Sequence, residues 1–140
     1  MTSSSGSQVL LALARMAMDA SVRASGELGG PSPVQLRALT ALRRMTGASL
    51  AQLAEEMGVT VSTTSRLVDR LVSADWVHRA PSPHNRREIS LRLSQIGERL
   101  LTRYDERRVE LLEECLERVP SERQEAVLGA LAELAQVSHP

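Results

Sequence analysis

Hydroxyl and guanidinium side chains are concentrated along one face of the segment 61–74. At helical spacing, the apolar residues Leu67, Val68 and Leu71 of this segment share the opposite side. Hydroxyl groups can donate or accept hydrogen bonds, and an arginine can hold guanine through two parallel hydrogen bonds. The polar face therefore has the chemistry needed to contact base edges, although a solvated helix face is polar too. Its residues are Ser62, Thr63, Ser65, Arg66, Asp69 and Arg70.

The segment before this face helps to decide between the two interpretations. Residues 49–58 predict a short helix, because Ser49 and Gln52 have the spacing of a capping box and Gly58 can adopt the left-handed turn that ends a helix. A short turn that ends at Thr60 then leads into the second helix. Two short helices joined in this way are typical of the helix-turn-helix motif, whose second helix enters the major groove of DNA. This context favours base contact over simple solvation.

A predicted hairpin follows the second helix. Ile89, Leu91 and Leu93 alternate with polar residues, which is the period of a half-buried strand, and residues 76–79 can supply its antiparallel partner. Two prolines between these segments disfavour helix and regular ladder pairing, so the loop is expected to project as a stiff tip. A basic tip can reach phosphates or an adjacent minor groove, whose negative potential attracts arginine. The tip residues are His84, Asn85, Arg86 and Arg87.

The chain resembles the MarR family of bacterial transcription regulators through four motifs in their proper order, SLAQLA, TSRLVDRL, VHRAPSPHNRRE and LSQIG. The resemblance implies a mostly α fold with a small β-wing, namely a winged helix-turn-helix with N- and C-terminal dimerisation helices. The family usually has a glycine where this chain has Asp75, and Asp accepts the left-handed region more readily than most residues. Ser94 is expected to cap the next helix. Asn85 replaces the family's wing aspartate, and a neutral amide is expected to orient the neighbouring arginine more weakly.

Four further helices are predicted outside the helix-turn-helix. Residues 8–24 have a helical pattern, and two prolines separate them from a second helix that ends near Gly47. Apolar residues recur at three and four positions over residues 95–119, and a helix of that length measures roughly 37 Å. Such a helix is too long to pack wholly against the small hairpin lobe and needs another surface. A last helix is predicted after Pro120, with one apolar face.

Length and composition limit the chain to one small domain. With 140 residues, 42% of them hydrophobic, it is expected to be globular, and it contains no Phe, one Trp and one Tyr. A small core built from Leu, Val, Ala and Met often gains stability from burial in a dimer. The resemblance then divides a single MarR-like domain, residues 1–140, into dimerisation helices at 7–30 and 98–140 and a DNA-binding lobe at 33–97.

The resemblance also implies partners. The chain is expected to bind a pseudo-palindromic double-stranded DNA operator as a homodimer and to act as a repressor. Thr63 and Arg66 are expected to read bases. Arg70, Arg86 and Arg87 are expected to hold the backbone or the minor groove. The whole predicted DNA-binding set is Ser62, Thr63, Ser65, Arg66, Arg70, His84, Asn85, Arg86 and Arg87.

A small aromatic or phenolic ligand is expected, from the family, to release the DNA. The crevice for it would lie between the dimerisation helices and the DNA-binding lobe. The alternative is that this crevice is filled and that the protein responds to its own concentration alone. The candidate walls of the crevice are Met16, Met18, Met45 and Leu101.

The charges of the chain are segregated, although they sum to zero. Residues 37–92 contain nine arginines against five acidic residues, whereas residues 93–140 contain six arginines against ten acidic residues. The positive share falls on the predicted DNA-binding lobe, as expected of a protein that contacts phosphates. A winged-helix module that binds protein without DNA remains the alternative, since the total charge is neutral and Asn85 departs from the family pattern.

The sequence does not indicate other chemistry. No arrangement of residues matches a hydrolase, a phosphate loop or a dinucleotide fold, so neither enzymatic activity nor a cofactor is expected. His78, His84 and His139 have no partner at the spacing of metal ligands. Cys115 lies on the apolar stripe of the long helix, which favours packing over a redox role. A lone cysteine and the lack of an apolar run of about 20 residues predict a cytoplasmic protein with no membrane contact.

Overall fold

Six helices and one two-stranded sheet make up the computed structural model, which describes residues 3–138. The predicted mostly α fold with a small β-wing is confirmed, since the hairpin is the only sheet within those residues. In chain order, the elements are α1 (Ser4–Leu28), α2 (Pro33–Arg44), α3 (Leu50–Met57), α4 (Val61–Ser73), β1 (Val77–Pro81), β2 (Ile89–Leu93), α5 (Gln95–Leu116) and α6 (Ser121–Val137).

The chain divides into two compact units. The central unit, Ser21–Glu106, contains α2, α3, α4 and the hairpin. The terminal unit consists of Met1–Ala20 and Arg107–Pro140 and contains α6. Helices α1 and α5 each have residues in both units. All the residues predicted to contact DNA lie in the central unit.

Leucine side chains from three helices fill the core of the central unit. Leu36, Leu39 and Leu42 recur at three-residue spacing along α2 and are buried. Leu53 of α3 and Leu71 of α4 are fully buried as well, and α3 contacts both of the other helices. Full burial of one such side chain contributes about 1.5–3 kcal/mol. The apolar faces of three amphipathic helices thus build a core that contains no phenylalanine.

The helices of the helix-turn-helix begin and end as their sequences predict. Ser49 Oγ accepts a hydrogen bond from the Gln52 N–H at 3.1 Å, and Gln52 Oε1 accepts one from the Ser49 N–H at 2.8 Å, which confirms the predicted capping box. Gly58 ends α3 with φ 69°, a left-handed conformation that glycine adopts without strain. A second capping box, formed by Ser32 and Gln35, starts α2. Local sequence therefore determines the bounds of both helices.

The hairpin pairs β1 with β2 in antiparallel register, from Val77 opposite Leu93 to Pro81 opposite Ile89. The other edge of β2 is also paired, because the Leu91 N–H donates to the Ala48 carbonyl oxygen at 2.8 Å. The residues just before α3 therefore bind the wing directly, and the wing is attached to the helix-turn-helix by backbone hydrogen bonding.

The burial alternation predicted for β2 is wrong at two positions. Ile89 is 55% exposed and Ser90 is buried, which is the reverse of the predicted pattern. Ile89 lies at the outer end of the pairing, opposite Pro81, where the loop begins. Ser90 lies beside Gly47, since a Cβ placed on that glycine would be 3.1 Å from the Ser90 Oγ. The loop before α3 thus covers a face of β2 that the sequence pattern assigns to solvent.

The helices of the terminal unit leave apolar side chains exposed. Helix α6 contains no buried residue. In α1, which extends beyond the predicted residues 8–24 at both ends, Val9, Leu11 and Met18 are each more than half exposed. No helix within residues 3–138 has both the length and the apolarity needed to cross a membrane.

Candidate nucleic-acid interface

Thr60 organises the start of α4, the second helix of the helix-turn-helix. Its Oγ1 accepts a hydrogen bond from the Thr63 N–H at 3.2 Å, which is the geometry of a helix N-cap. Its carbonyl oxygen accepts from the Thr64 hydroxyl at 2.9 Å, and Thr64 is fully buried. Thr60 was not among the predicted site residues, although a threonine directly before an amphipathic helix is a recognised capping signal.

Two of the three hydroxyls predicted to contact DNA, those of Ser62 and Thr63, are connected to that cap. Thr60 Oγ1 donates to Thr63 Oγ1 at 2.9 Å and lies 3.3 Å from Ser62 Oγ. Ser62 and Thr63 are exposed, whereas Ser65 is half-buried. The Thr63 hydroxyl still has its own proton to donate, because it acts as the acceptor in the bond from Thr60. The structure therefore groups these hydroxyls at the tip of α4 with their positions partly fixed.

Arg66 and Arg70 extend this tip with two exposed guanidinium groups. Neither forms a hydrogen bond or an ion pair with any residue in the range 3–138. An ion pair of Arg70 with Glu55 or Glu56 was the alternative to phosphate binding. Neither pair is observed within residues 3–138, and Glu56 pairs with Arg44 instead. Both guanidinium groups are thus available to an external anion.

An ion pair that the sequence did not predict joins the wing to α4. Arg79 of β1 pairs with Asp69, the acidic residue on the polar face of α4. The side chains are 38% and 60% exposed, so the pair contributes little to stability in water. Its effect is electrostatic, since it neutralises the carboxylate that would otherwise repel phosphates near Arg66 and Arg70.

The wing tip is a closed turn that exposes two further arginines. The Ser82 N–H donates to the Glu88 carbonyl oxygen at 2.8 Å, and the Glu88 N–H donates to that of Asn85 at 3.0 Å. Asn85 Oδ1 accepts from the Arg87 N–H at 3.1 Å, which is an Asx-type turn. Asn85 therefore orders the tip through its amide oxygen, an atom that Asp would also supply. Arg86 and Arg87 have no side-chain partner within residues 3–138.

His84, the remaining predicted tip residue, is exposed like the two arginines. Its backbone N–H donates to the Ser82 Oγ at 3.3 Å, so the start of the tip is hydrogen-bonded as well. The four tip residues thus lie together on one projecting turn, apart in sequence from the hydroxyls of α4.

The joint between α4, the wing and α5 depends on three residues. Asp75 has φ 61°, and within residues 3–138 it is the only non-glycine residue with positive φ. This confirms the left-handed turn predicted there. Ser94 Oγ accepts from the Gly97 N–H at 2.9 Å and donates to the Asp75 carbonyl oxygen, so the predicted cap of α5 is confirmed and also binds the turn. This double hydrogen bond sets where the wing starts relative to α4.

The four residues predicted to line a ligand crevice have different surroundings. In the central unit, Leu101 is fully buried, whereas Met45 is half-buried and lines an open cavity of about 590 Å³. In the terminal unit, Met16 is half-buried and Met18 is 62% exposed. The cavity beside Met45 is lined further by Arg44, Thr46, Gly47, Ala48, Gln52, Glu55 and Glu56.

The histidines and the cysteine of the chain were considered as metal ligands or as a redox group. Within residues 3–138, no group of three His, Cys, Asp or Glu side chains is placed to hold a metal ion. His78 and His84 are exposed on the wing, and His139 lies outside the described residues. Cys115 is a free, half-buried thiol of α5. The described chemistry is therefore that of hydroxyls, an amide and guanidinium groups.

Comparison with known proteins gives one relative by sequence and two solved structures of the same fold. The uncharacterized HTH-type transcriptional regulator YfiV of Bacillus subtilis is 28% identical over 102 residues, which span 73% of this chain and 64% of that protein. The crystal structure of RV1404 from Mycobacterium tuberculosis has a TM-score of 0.84 at 26% identity and covers 100% of this chain and 97% of that one. A mutant of MepR from S. aureus, bound to an oligodeoxyribonucleotide, has a TM-score of 0.72 at 16% identity and covers 95% and 97%.

A family model matches the part of the chain that contains the site. The model of the MarR family matches residues 32–89, from the N-cap of α2 to the first residue of β2. That range includes both helices of the helix-turn-helix and the whole wing tip. Over this range the chain is similar to the MarR family.

Proposed function

We propose that the chain is a sequence-specific, non-enzymatic DNA-binding transcription regulator of the bacterial cytoplasm. The observation that supports this most strongly is that exposed arginines without an acceptor partner lie on the reading helix and the wing tip. Arg37, Arg43, Arg44 and Arg79 each bind an acceptor within the central unit, whereas Arg23, Arg92, Arg99 and Arg103 have no partner within residues 3–138 but lie outside the reading helix and the wing tip. The predicted DNA contacts have no such partner within residues 3–138 and are exposed, namely Arg66, Arg70, Arg86 and Arg87. Unpaired guanidinium groups on a reading helix and a wing are a strong phosphate-binding arrangement.

Arg66 has a different role from the other three arginines in the proposed complex. The N-terminal part of a reading helix faces base edges in the major groove, so Thr63 and Arg66 read sequence. Arg70 and the wing arginines bind the backbone or the flanking minor groove, where they position the protein. The MepR mutant, a protein of the same fold, is bound to an oligodeoxyribonucleotide, which supports DNA binding by this chain.

The regulator acts as a homodimer on a pseudo-palindromic operator. Helix α6 has no buried residue, and the exposed apolar residues of α1 include Val9, Leu10 and Leu11. Exposure of these apolar surfaces to water is unfavourable, and a second copy of the chain can cover them. Two copies related by a two-fold axis place their reading helices in successive major grooves, about 34 Å apart. Sedimentation that shows a monomer at micromolar concentration, still able to bind its operator, would disprove the dimer.

Repression with release by a small phenolic ligand is the remaining part of the proposal. A ligand can release DNA only if it binds better to a form of the dimer whose reading helices are wrongly spaced. Met45, which lines the open cavity of the central unit, is the proposed contact. A panel of phenolic compounds should shift the melting temperature and displace DNA. If no compound does either, the protein responds to its own concentration alone.

The first experiment separates a DNA-binding protein from a protein-interaction module. Fluorescence titration of mixed duplex DNA at two salt concentrations should show affinity that falls steeply as salt rises, because phosphate binding releases counterions. DNA selected from a random pool then supplies the operator. Weak binding without salt dependence would favour a protein partner.

Arg66 and Arg86 are expected to differ in the kind of loss that their replacement causes. Arg86→Ala should weaken binding to all sequences and lower the slope of log affinity against log salt by roughly 2 for the dimer, one phosphate per subunit. Arg66→Ala should change which base is preferred, at a cost of about 1–3 kcal/mol for the lost base contact. Arg103→Ala removes an exposed arginine of α5 and serves as the matched control. Equal behaviour of the three variants on all duplexes would reject the assignment.

A further inference from the structure

An exposed valine stands at the start of the reading helix. Val61 is the first residue of α4 and is 51% exposed. Helical spacing places it on the side of the buried residues Thr64 and Val68, but at the end of the helix it is not covered as they are. The N-cap is made by Thr60, so Val61 has no capping role. About half of this apolar side chain therefore stays uncovered at the tip of the helix.

The polar groups around Val61 are occupied with one another. Thr60 Oγ1 donates to Thr63 Oγ1 at 2.9 Å and lies 3.3 Å from Ser62 Oγ. The hydroxyls on both sides of Val61 in sequence thus belong to one hydrogen-bonded group. This leaves the valine as an exposed apolar side chain among linked polar ones, at the end of the helix that enters the groove.

We propose that Val61 contacts the 5-methyl group of a thymine in each operator half-site, and this inference rests on the proposed DNA binding. The thymine methyl is the apolar group that a base pair presents in the major groove, and apolar side chains recognise it by excluding water. Val61 is thereby a specificity-determining residue that favours thymine over cytosine at one position. Burial of one methyl against it corresponds to about a fourfold gain in affinity per half-site.

The test removes the methyl group from the DNA and the valine from the protein in turn. Each thymine in one half-site of the selected operator is replaced by uracil, which lacks only the 5-methyl group. Wild type should bind one of these duplexes about fourfold more weakly. Val61→Ala removes the contact from both half-sites, so it should bind the thymine duplex about sixteenfold more weakly. It should bind the thymine and uracil forms of that duplex equally. Val34→Ala removes a valine of α2 that is 57% exposed and should keep the wild-type preference.

The outcomes distinguish this inference from the proposed function. Wild type that binds every uracil duplex as tightly as the thymine duplex overturns the thymine contact while salt-dependent DNA binding stands. A Val61→Ala variant that keeps the preference for thymine also overturns it, because the methyl group is then read by another residue. If no duplex is selected from the pool, DNA binding itself fails and the inference fails with it. Circular dichroism confirms that both variants retain wild-type helicity.

Discussion

Replacement of Gly97 tests how firmly the wing is joined to α5. Gly97 is the third residue of α5 and is buried, and its N–H donates to Ser94 Oγ at 2.9 Å. A Cβ at this position would lie 2.3 Å from the carbonyl oxygen of Trp76 and 3.1 Å from its carbonyl carbon. Both atoms belong to the backbone, so rotation of a side chain cannot relieve the clash. Gly97→Ala must therefore move the start of α5 away from the start of the wing.

The expected loss of stability follows from three terms. Overpacking of this kind costs about 1–3 kcal/mol. The same movement disturbs the Ser94 cap, which contributes about 1 kcal/mol. Alanine has a better helix propensity than glycine by about 1 kcal/mol, which offsets the loss of the cap. Gly97→Ala is therefore expected to lower the free energy of unfolding by about 1–3 kcal/mol.

Urea denaturation followed by circular dichroism measures this change, with the protein concentration held constant because a dimer gains stability with concentration. Gly26→Ala is the matched control, since Gly26 also lies in a helix of the central unit and a Cβ there would meet nothing within 4 Å. That variant should gain up to about 1 kcal/mol. The reasoning is refuted if Gly97→Ala unfolds at the same urea concentration as wild type or at a higher one.

Two further predictions concern the wing. Ser90 Oγ is buried and has no hydrogen-bond partner within residues 3–138, so Ser90→Ala should raise the free energy of unfolding by about 1 kcal/mol. Ser94→Ala should lower the free energy of unfolding by about 1–2 kcal/mol, because the buried cap of α5 is lost. Urea denaturation that gives both variants the same sign would contradict this. Asn85→Ala should weaken DNA binding about tenfold for the dimer, because each of its two wing tips loses one hydrogen bond of about 0.7 kcal/mol. Asn85→Asp keeps an acceptor oxygen and the ordered tip. Fluorescence titration with equal affinity for the two variants would show that the amide oxygen does not order the tip.

Features that depend only on residues close together along the chain could be predicted from the sequence. The capping box of Ser49 and Gln52, the glycine turn at Gly58 and the left-handed Asp75 each involve residues within a few positions of one another. The amphipathic pattern of α4 identified its buried face for the same reason, because helical spacing alone places Val68 with the core. A family resemblance then supplied the order of these elements and the expected role of the wing.

The candidate DNA-binding site could be predicted only in part from the sequence. Hydroxyls and arginines could be assigned to a polar face, but the sequence could not show which of them bind one another. Arg70 and Arg79 illustrate the difference, since only Arg79 found a carboxylate, that of Asp69, ten positions away on another element. The hydrogen bonds that link Thr60, Thr63 and Ser62 were likewise unforeseen, and they leave Val61 as the exposed apolar group at the tip.

The sequence by itself determined the helix-turn-helix and the wing, because periodicity, capping signals and turn residues are properties of short stretches of chain. Tertiary structure decided which faces are covered and which charges remain unpaired. Ser90 is buried because the Gly47 loop lies over it, and Gly97 is confined by the Trp76 carbonyl group. Such contacts join residues from separate elements, and the pattern of one strand or helix contains no information about the neighbour that packs against it.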